Sequence, residues 1–274
     1  MGRSSESVAG RDRQREARRH RRRALLRRVA EFQGIRQLQF DRYRQHVRRL
    51  YDGPAGAVLI IGSKLSLHEP LVGRLFRTGR FEIRDCRAIL DIGSGAGQIL
   101  GHLLRHAHPE AEIVGCDLSP QMLARARQRL RSRRPKLVAA DMTRLPFPDG
   151  RFDCVTCGWA MEYLPDPTVG LREIARVLRP GGKLYLLATE DTFAGVMTSR
   201  TWHCRTFNRR ELRQACESAG LPWRRELWLT RMHELLRMGG ILVEACKEAA
   251  VGGAPIASET DPEAHAGGRV LPNV

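Results

Sequence analysis

The sequence predicts an α/β fold: a mostly parallel sheet with helices on both faces. Two observations predict it. Short apolar runs recur from Cys86 onward, and between them lie segments whose apolar residues repeat every three or four positions. Short buried strands alternating with amphipathic helices imply parallel strands covered on both sides. Composition agrees: 274 residues at 42% hydrophobic can bury a sizeable core. No run approaches the ~18 apolar residues of a membrane span, and no fixed repeat marks a solenoid.

Ala88–Ile92 is the first strand, and Ile99, Leu100, Leu103, Leu104 and Ala107 line one face of the helix after it. Residues 113–116 form a second strand, followed by a helix from near Pro120 with Met122, Ala126 and Leu130 inward. Residues 137–140 and 152–157 are the third and fourth strands. Leu171, Ile174, Ala175 and Leu178 make a helical stripe that Pro180-Gly181-Gly182 stops. Residues 183–188 are the fifth strand. Asn208 and Glu211 read as a capping box, with Leu212, Ala215, Cys216 and Ala219 on one face behind it. Residues 223–229 and 241–246 complete the set, and the connection 189–206 reads as a long loop of the kind that carries functional residues.

Outside this unit, residues 1–23 are expected to be a basic disordered tail, because like charges at that density repel and bury little. Residues 24–80 are read as a helical cap. Leu25, Val29 and Phe32, then Phe40, Tyr43, Val47 and Leu50, keep helical spacing until Asp52-Gly53-Pro54. Within it, 58–61 reads as a strand or a buried turn and 70–76 as a short helix. The main domain is 81–250, and 251–274 is expected to be a second disordered tail.

The net charge of +17 is concentrated at the start, where residues 1–28 hold eleven Arg against three acids. With 43 Arg to 4 Lys, the bias reads as compositional and is weak support for a nucleic-acid partner. Seven scattered cysteines read as reduced core thiols in a cytoplasmic protein. Neither a signal peptide nor a myristoylation signal is legible at the start.

Chemistry concentrates in Asp91-Ile92-Gly93-Ser94-Gly95-Ala96-Gly97, which joins the first strand to the first helix. Glycines at two-residue spacing let backbone approach a ligand closely. Asp117 ends the second strand, where a carboxylate can accept ribose hydroxyls. Asp141 ends the third, where it can accept from an exocyclic amine.

Together with Asp141-Met142, Phe152-Asp153 and Leu178-Arg179-Pro180-Gly181-Gly182, this set resembles the class I S-adenosylmethionine-dependent methyltransferases. The likeness spans roughly 86–248 and is nearest the ubiquinone- and menaquinone-biosynthesis type of small-molecule methyltransferase. It implies a Rossmann-like, seven-stranded, mostly parallel sheet with its last strand antiparallel, under an N-terminal helical cap. S-adenosyl-L-methionine is the implied cofactor.

The resemblance also implies roles. Asp91 would orient the loop and meet the cofactor's amino group, while Gly93, Ser94, Gly95 and Gly97 would line its methionine portion. Asp117 would hold the ribose, Leu118 and Met142 the adenine faces, and Asp141 the adenine amine. Cys157, Gly158 and Trp159 would face the methyl group. Glu162, Tyr163 and His203 are the candidate bases; relatives often carry a histidine where Tyr163 stands.

The expected acceptor is a small, apolar molecule: a quinone precursor, lipid or secondary metabolite. The alternatives are an RNA or other nucleic-acid methyltransferase using the basic tail, and a catalytically silent cofactor-binding module. Peripheral contact with an anionic membrane is a further expectation, through the tail's arginines. Against metal chemistry, Cys154 and Cys157 read as same-face packing within one strand, and His102, His106 and His108 as a solvated basic face.

Overall fold

The computed structural model describes residues 42, 44, 45, 48, 49, 68–202, 204–236 and 240–248. Both tails, His203 and most of the stretch read as a cap lie outside these residues. In chain order come α1 (His68–Arg77), β1 (Ala88–Ile92), α2 (Gln98–His106), β2 (Glu112–Asp117) and α3 (Pro120–Leu130). Then follow β3 (Lys136–Ala139), β4 (Phe152–Gly158), a 3-10 turn (Met161–Tyr163), α4 (Pro167–Val177) and β5 (Leu178–Ala188). Last are α5 (Phe193–Trp202), α6 (Arg209–Ser218), β6 (Trp223–Glu226), α7 (Arg231–Leu236) and β7 (Ile241–Cys246).

The strands form one sheet in the order β3-β2-β1-β4-β5-β7-β6. The β1, β2, β3, β4 and β5 pairings are parallel, and β7 runs antiparallel to both β5 and β6. The expected Rossmann-like sheet with an antiparallel last strand is therefore what the chain builds. Strand order reverses between β1 and β4, and a crevice opens at the carboxyl ends of strands at such a point.

Period-two alternation splits the sheet's side chains between two cores. Leu90, Ile92, Val155, Leu184 and Leu186 join Leu171 and Ile174 of α4 and Leu212 of α6 on one face. Ile89, Ile113, Tyr185 and Leu187 join Leu100 and Leu103 of α2 and Leu75 and Phe76 of α1 on the other. Each fully buried Leu or Ile contributes about 1.5–3 kcal/mol of transfer free energy. Helix starts follow local chemistry: Ser119 accepts from Met122 N ahead of α3, and Asp166 from Thr168 N ahead of α4, each with Pro in the first turn.

Several expectations need correction. Cys154 and Cys157 do not share a face. Three residues apart on a strand, they point oppositely, and each is buried in a different core. The helix ends at Val177, before Pro180-Gly181-Gly182, which instead lies inside the long β5. There Gly181 N donates to Lys247 O, and Lys247 N to Gly182 O, so the turn is held by the chain leaving β7.

The connection 189–206 contains helix α5, which buries Val196 but exposes Phe193 and Met197, so no clean apolar stripe announces it. The sixth strand stops at Glu226 rather than reaching Leu229. Asn208 does cap α6, but through Arg210 N. His102 is buried, not solvated: its ring stacks on Phe76, with centroids 5.4 Å apart.

Candidate functional site

β1 carries Asp91 to the reversal point, and the chain turns at once into α2. Ser94 N donates to Cys116 O at 3.0 Å and Gly97 N to Ser94 O at 2.8 Å, while Ser94 Oγ donates to Asp91 O at 2.9 Å. The turn needs glycine at Gly93 and Gly95, whose φ values are +68° and +51°. At Gly93 space is decisive as well, because a β-carbon there would lie 2.4 Å from Ala160 Cβ. Gly97 is the N-cap of α2.

Three carboxylates border this loop. Asp117 locks the end of β2 to it: Oδ2 accepts from Gly95 N at 2.8 Å and Oδ1 from Ser119 N at 2.9 Å. Asp91 is 1% exposed. Its Oδ1 accepts from Thr156 Oγ1 at 2.6 Å, and its Oδ2 is buried without a hydrogen-bond partner among the described residues. Burial pushes the Asp91 carboxyl up to about 7.

An orphaned carboxylate oxygen under a glycine loop fits a cationic amino group brought by a ligand. Asp141 closes the far end. Its Oδ1 accepts from Thr143 N at 2.9 Å and Thr143 Oγ1 at 2.8 Å, and its Oδ2 from Arg44 Nε. Leu118 and Met142 are half-buried over the core beside it.

At the end of β4, the Cys157 thiol is fully buried in the core, and burial raises its pKa far above the ordinary range. Any contact of Cys157 with a ligand in the crevice is left to its backbone. Gly158 has no room for a β-carbon, which would sit 2.5 Å from Ile99 Cδ1. Trp159 then takes a φ of +53°, rare for a bulky side chain, with its N–H donating to Leu187 O at 2.8 Å. Strain of this kind clusters at working sites.

Beyond it, Glu162 is 3% exposed on the 3-10 turn. Glu162 Oε1 accepts from Thr189 N at 2.8 Å and Thr189 Oγ1 at 3.0 Å, while Oε2 has no partner among the described residues. Burial pushes this carboxyl up to about 7. Tyr163 is half-buried beside it.

The structure thus brings Asp91, the glycine loop, Asp117, Leu118, Asp141, Met142, Trp159, Glu162 and Tyr163 to one end of the sheet. Sequence reasoning missed Thr156, Thr189 and Arg44. Thr156 stands opposite Asp91 only through the β1–β4 register, and Thr189 reaches Glu162 only through the β4–β5 pairing. Neither relation leaves a local signal. Among the described residues no group of three or more His, Cys, Asp or Glu side chains is placed to hold a metal ion. No helix among them is long and apolar enough to cross a membrane.

Residues 90–186 match the family profile described as "Methyltransferase domain". The demethylmenaquinone methyltransferase of Deinococcus radiodurans is 44% identical over 112 residues, covering 40% of this chain and 46% of that protein. The ubiquinone/menaquinone biosynthesis C-methyltransferase of Hahella chejuensis is 29% identical over 158 residues, 56% of this chain and 64% of that one. The chain therefore spans about half to two thirds of the length of these relatives.

Among solved structures, the methyltransferase bound to the Trm112 activator of Haloferax volcanii superposes with a TM-score of 0.63 at 24% identity. The match covers 76% of this chain and all of that one. The geranyl diphosphate C-methyltransferase of Streptomyces coelicolor superposes at 0.53 with 16% identity, over 64% of this chain and 76% of that one. These two likenesses concern the fold alone. By sequence, residues 90–186 of the chain match a methyltransferase domain, and by strand order its sheet has the Rossmann-like fold of these solved methyltransferases.

Proposed function

We propose that this chain moves a methyl group from S-adenosyl-L-methionine to a small apolar acceptor of the quinone-precursor type. The observation that carries the cofactor half is Oδ2 of Asp91, buried beneath the glycine loop with no partner among the described residues. In this reading it meets the cofactor's amino group. Gly93, Ser94, Gly95 and Gly97 line the methionine portion, and Asp117, already fixed by Gly95 and Ser119, takes the ribose. Leu118 and Met142 flank the adenine, and Asp141 accepts its amine. Trp159 and the backbone of Cys157 bound the methyl end.

The cofactor supplies a methyl on sulfonium that is already activated and leaves a neutral thioether. The protein's share is placement. Aligning acceptor and methyl supplies roughly 7–11 kcal/mol. A ring carbon made nucleophilic by a hydroxyl must also lose a proton. Glu162 is the base of this reading, because one oxygen is held by Thr189 and the other has no partner among the described residues. Tyr163 is its neighbour; His203 is retained as a proposal from the sequence.

Two things support an apolar acceptor. The relatives are named for quinone methylation. In addition, α5 and α7 expose Phe193, Met197, Met232 and Leu235. α5 leaves β5 where β7 begins, and α7 leads into β7, so both helices lie at the crevice end of the sheet.

The test incubates the purified chain and methyl-labelled cofactor with a cell extract. Label is expected in the lipid-soluble fraction. Label in nucleic acid, or none anywhere, overturns the acceptor reading. Asp117→Ala should weaken calorimetrically measured cofactor affinity at least tenfold, about 1.4 kcal/mol. An unchanged affinity would remove Asp117 from the site.

A further inference from the structure

Residues 42, 44, 45, 48 and 49 have helical backbone. Arg44 and Arg48 are both among them. Both reach the same end of the crevice: Arg44 Nε donates to Asp141 Oδ2, and Arg48 Nε to the Leu118 carbonyl at 3.4 Å. Leu118 follows β2 and Asp141 follows β3, so these arginines sit across the place assigned above to adenine. The inference rests on that assignment.

Asp141 offers two oxygens. Thr143 takes Oδ1 twice, by its N–H and its hydroxyl, and so holds the 141–144 turn. Oδ2, which Thr143 does not take, is the oxygen that this reading gives to the ligand amine, and it is the one that Arg44 holds. A guanidinium makes a charge-assisted hydrogen bond, about twice as strong as one from a neutral amine. The amine therefore does not displace Arg44 without loss. The Arg44 side chain is 54% exposed and that of Asp141 13%, so the pair is partly screened and weakens with salt.

We propose that Arg44 is an affinity-setting residue: its ion pair with Asp141 competes with the adenine amine for Oδ2 and holds cofactor affinity below what the crevice could reach. Arg48, bonded to the Leu118 carbonyl, lies at the same end of the crevice. The sequence gives no hint of this, since 97 positions separate Arg44 from Asp141.

The test is calorimetric titration of the full chain with S-adenosylhomocysteine and with its analogue lacking the adenine 6-amino group. Wild type, Arg44→Ala and Asp117→Ala are compared at low and high salt, after thermal melts establish that each is folded. Arg44→Ala should tighten S-adenosylhomocysteine about threefold to fivefold at low salt, the scale of a half-exposed ion pair. The gain should shrink at high salt, and the analogue should bind wild type and variant alike.

Weaker or unchanged binding by Arg44→Ala overturns the competition, since the arginine would then assist the cofactor or ignore it. Equal tightening of the analogue also overturns it, because the effect would be bulk rather than Oδ2. If wild type binds neither ligand, the cofactor assignment itself fails. Binding by wild type that Asp117→Ala weakens keeps that assignment whatever Arg44 does.

Discussion

A carboxylate shut away from water at the end of a strand is unfavourable unless something positive meets it. Thr156 donates to one oxygen of Asp91, and burial pushes its pKa up to about 7. The sign follows. With the folded value raised, the stabilisation it contributes is full below the ordinary carboxylate range and is lost as pH rises through about 7.

A ligand ammonium reverses this, because it favours the ionised form. Cofactor affinity should therefore rise about tenfold between pH 5.5 and 7.0 as Asp91 ionises on binding. Titration in buffers of different ionisation enthalpy should show proton release. Asp91→Asn should bind more weakly and lose most of the pH dependence. A wild-type profile that is flat over this range would remove Asp91 from the amino-group site. At this scale the loop and its acids were legible, since Asp91 to Gly97 is contiguous. Thr156 was not, because strand register is a long-range fact.

Elements were legible where periodicity was clean. β1 comes out as read, and α3 starts at the expected Pro120. Where a polar residue sits on an element's buried side, the pattern misleads, and α2 is the case in point. Its three-four stripe was plain, but His102, beside it, goes inside. It stacks on Phe76 of α1 at a 14° interplanar angle, and its Nδ1 lies 2.9 Å from Arg105 Nη2.

Glycine makes room for it: a β-carbon on Gly73 of α1 would lie 2.4 Å from the His102 ring. Glu69 of α1 pairs with Arg129 of α3, so α1 is tied to two neighbours. Burial pushes His102 down to about 4, so it is neutral in the fold and protonates readily only when unfolded. Stability should thus be full above pH 6.5 and fall toward pH 4, by on the order of 2 kcal/mol from this group. Chemical denaturation at pH 7.0 and 4.5 checks it. His102→Gln should narrow the difference between the two, and an undiminished difference would assign it to other groups.

Across the whole molecule, one property follows from a sheet buried on both faces: side chains chosen for small apolar volume end up deep, whatever their chemistry. The seven cysteines illustrate it. All are free, six are buried, and only Cys246, at the end of β7, is partly accessible. Their scatter through apolar segments suggested core thiols, and that was legible. Which core each one enters was not, because Cys154 and Cys157 diverge only once β4 is known to lie between helical layers.

Burial raises the pKa of Cys116 and Cys157, and takes Cys216 to about 11. Cys86, hydrogen-bonded by the Cys154 thiol, is instead lowered. Thiolate is the reactive form, so access and pKa together set an order. In the native chain an alkylating reagent should modify Cys246 first and Cys86 next. The other five should react only as fast as the sheet opens, and all seven should react in denaturant. Peptide mass spectrometry over a time course reads this directly. Early labelling of Cys154 or Cys157 would mean that β4, the strand on which both cores and the crevice depend, is not closed on its two faces.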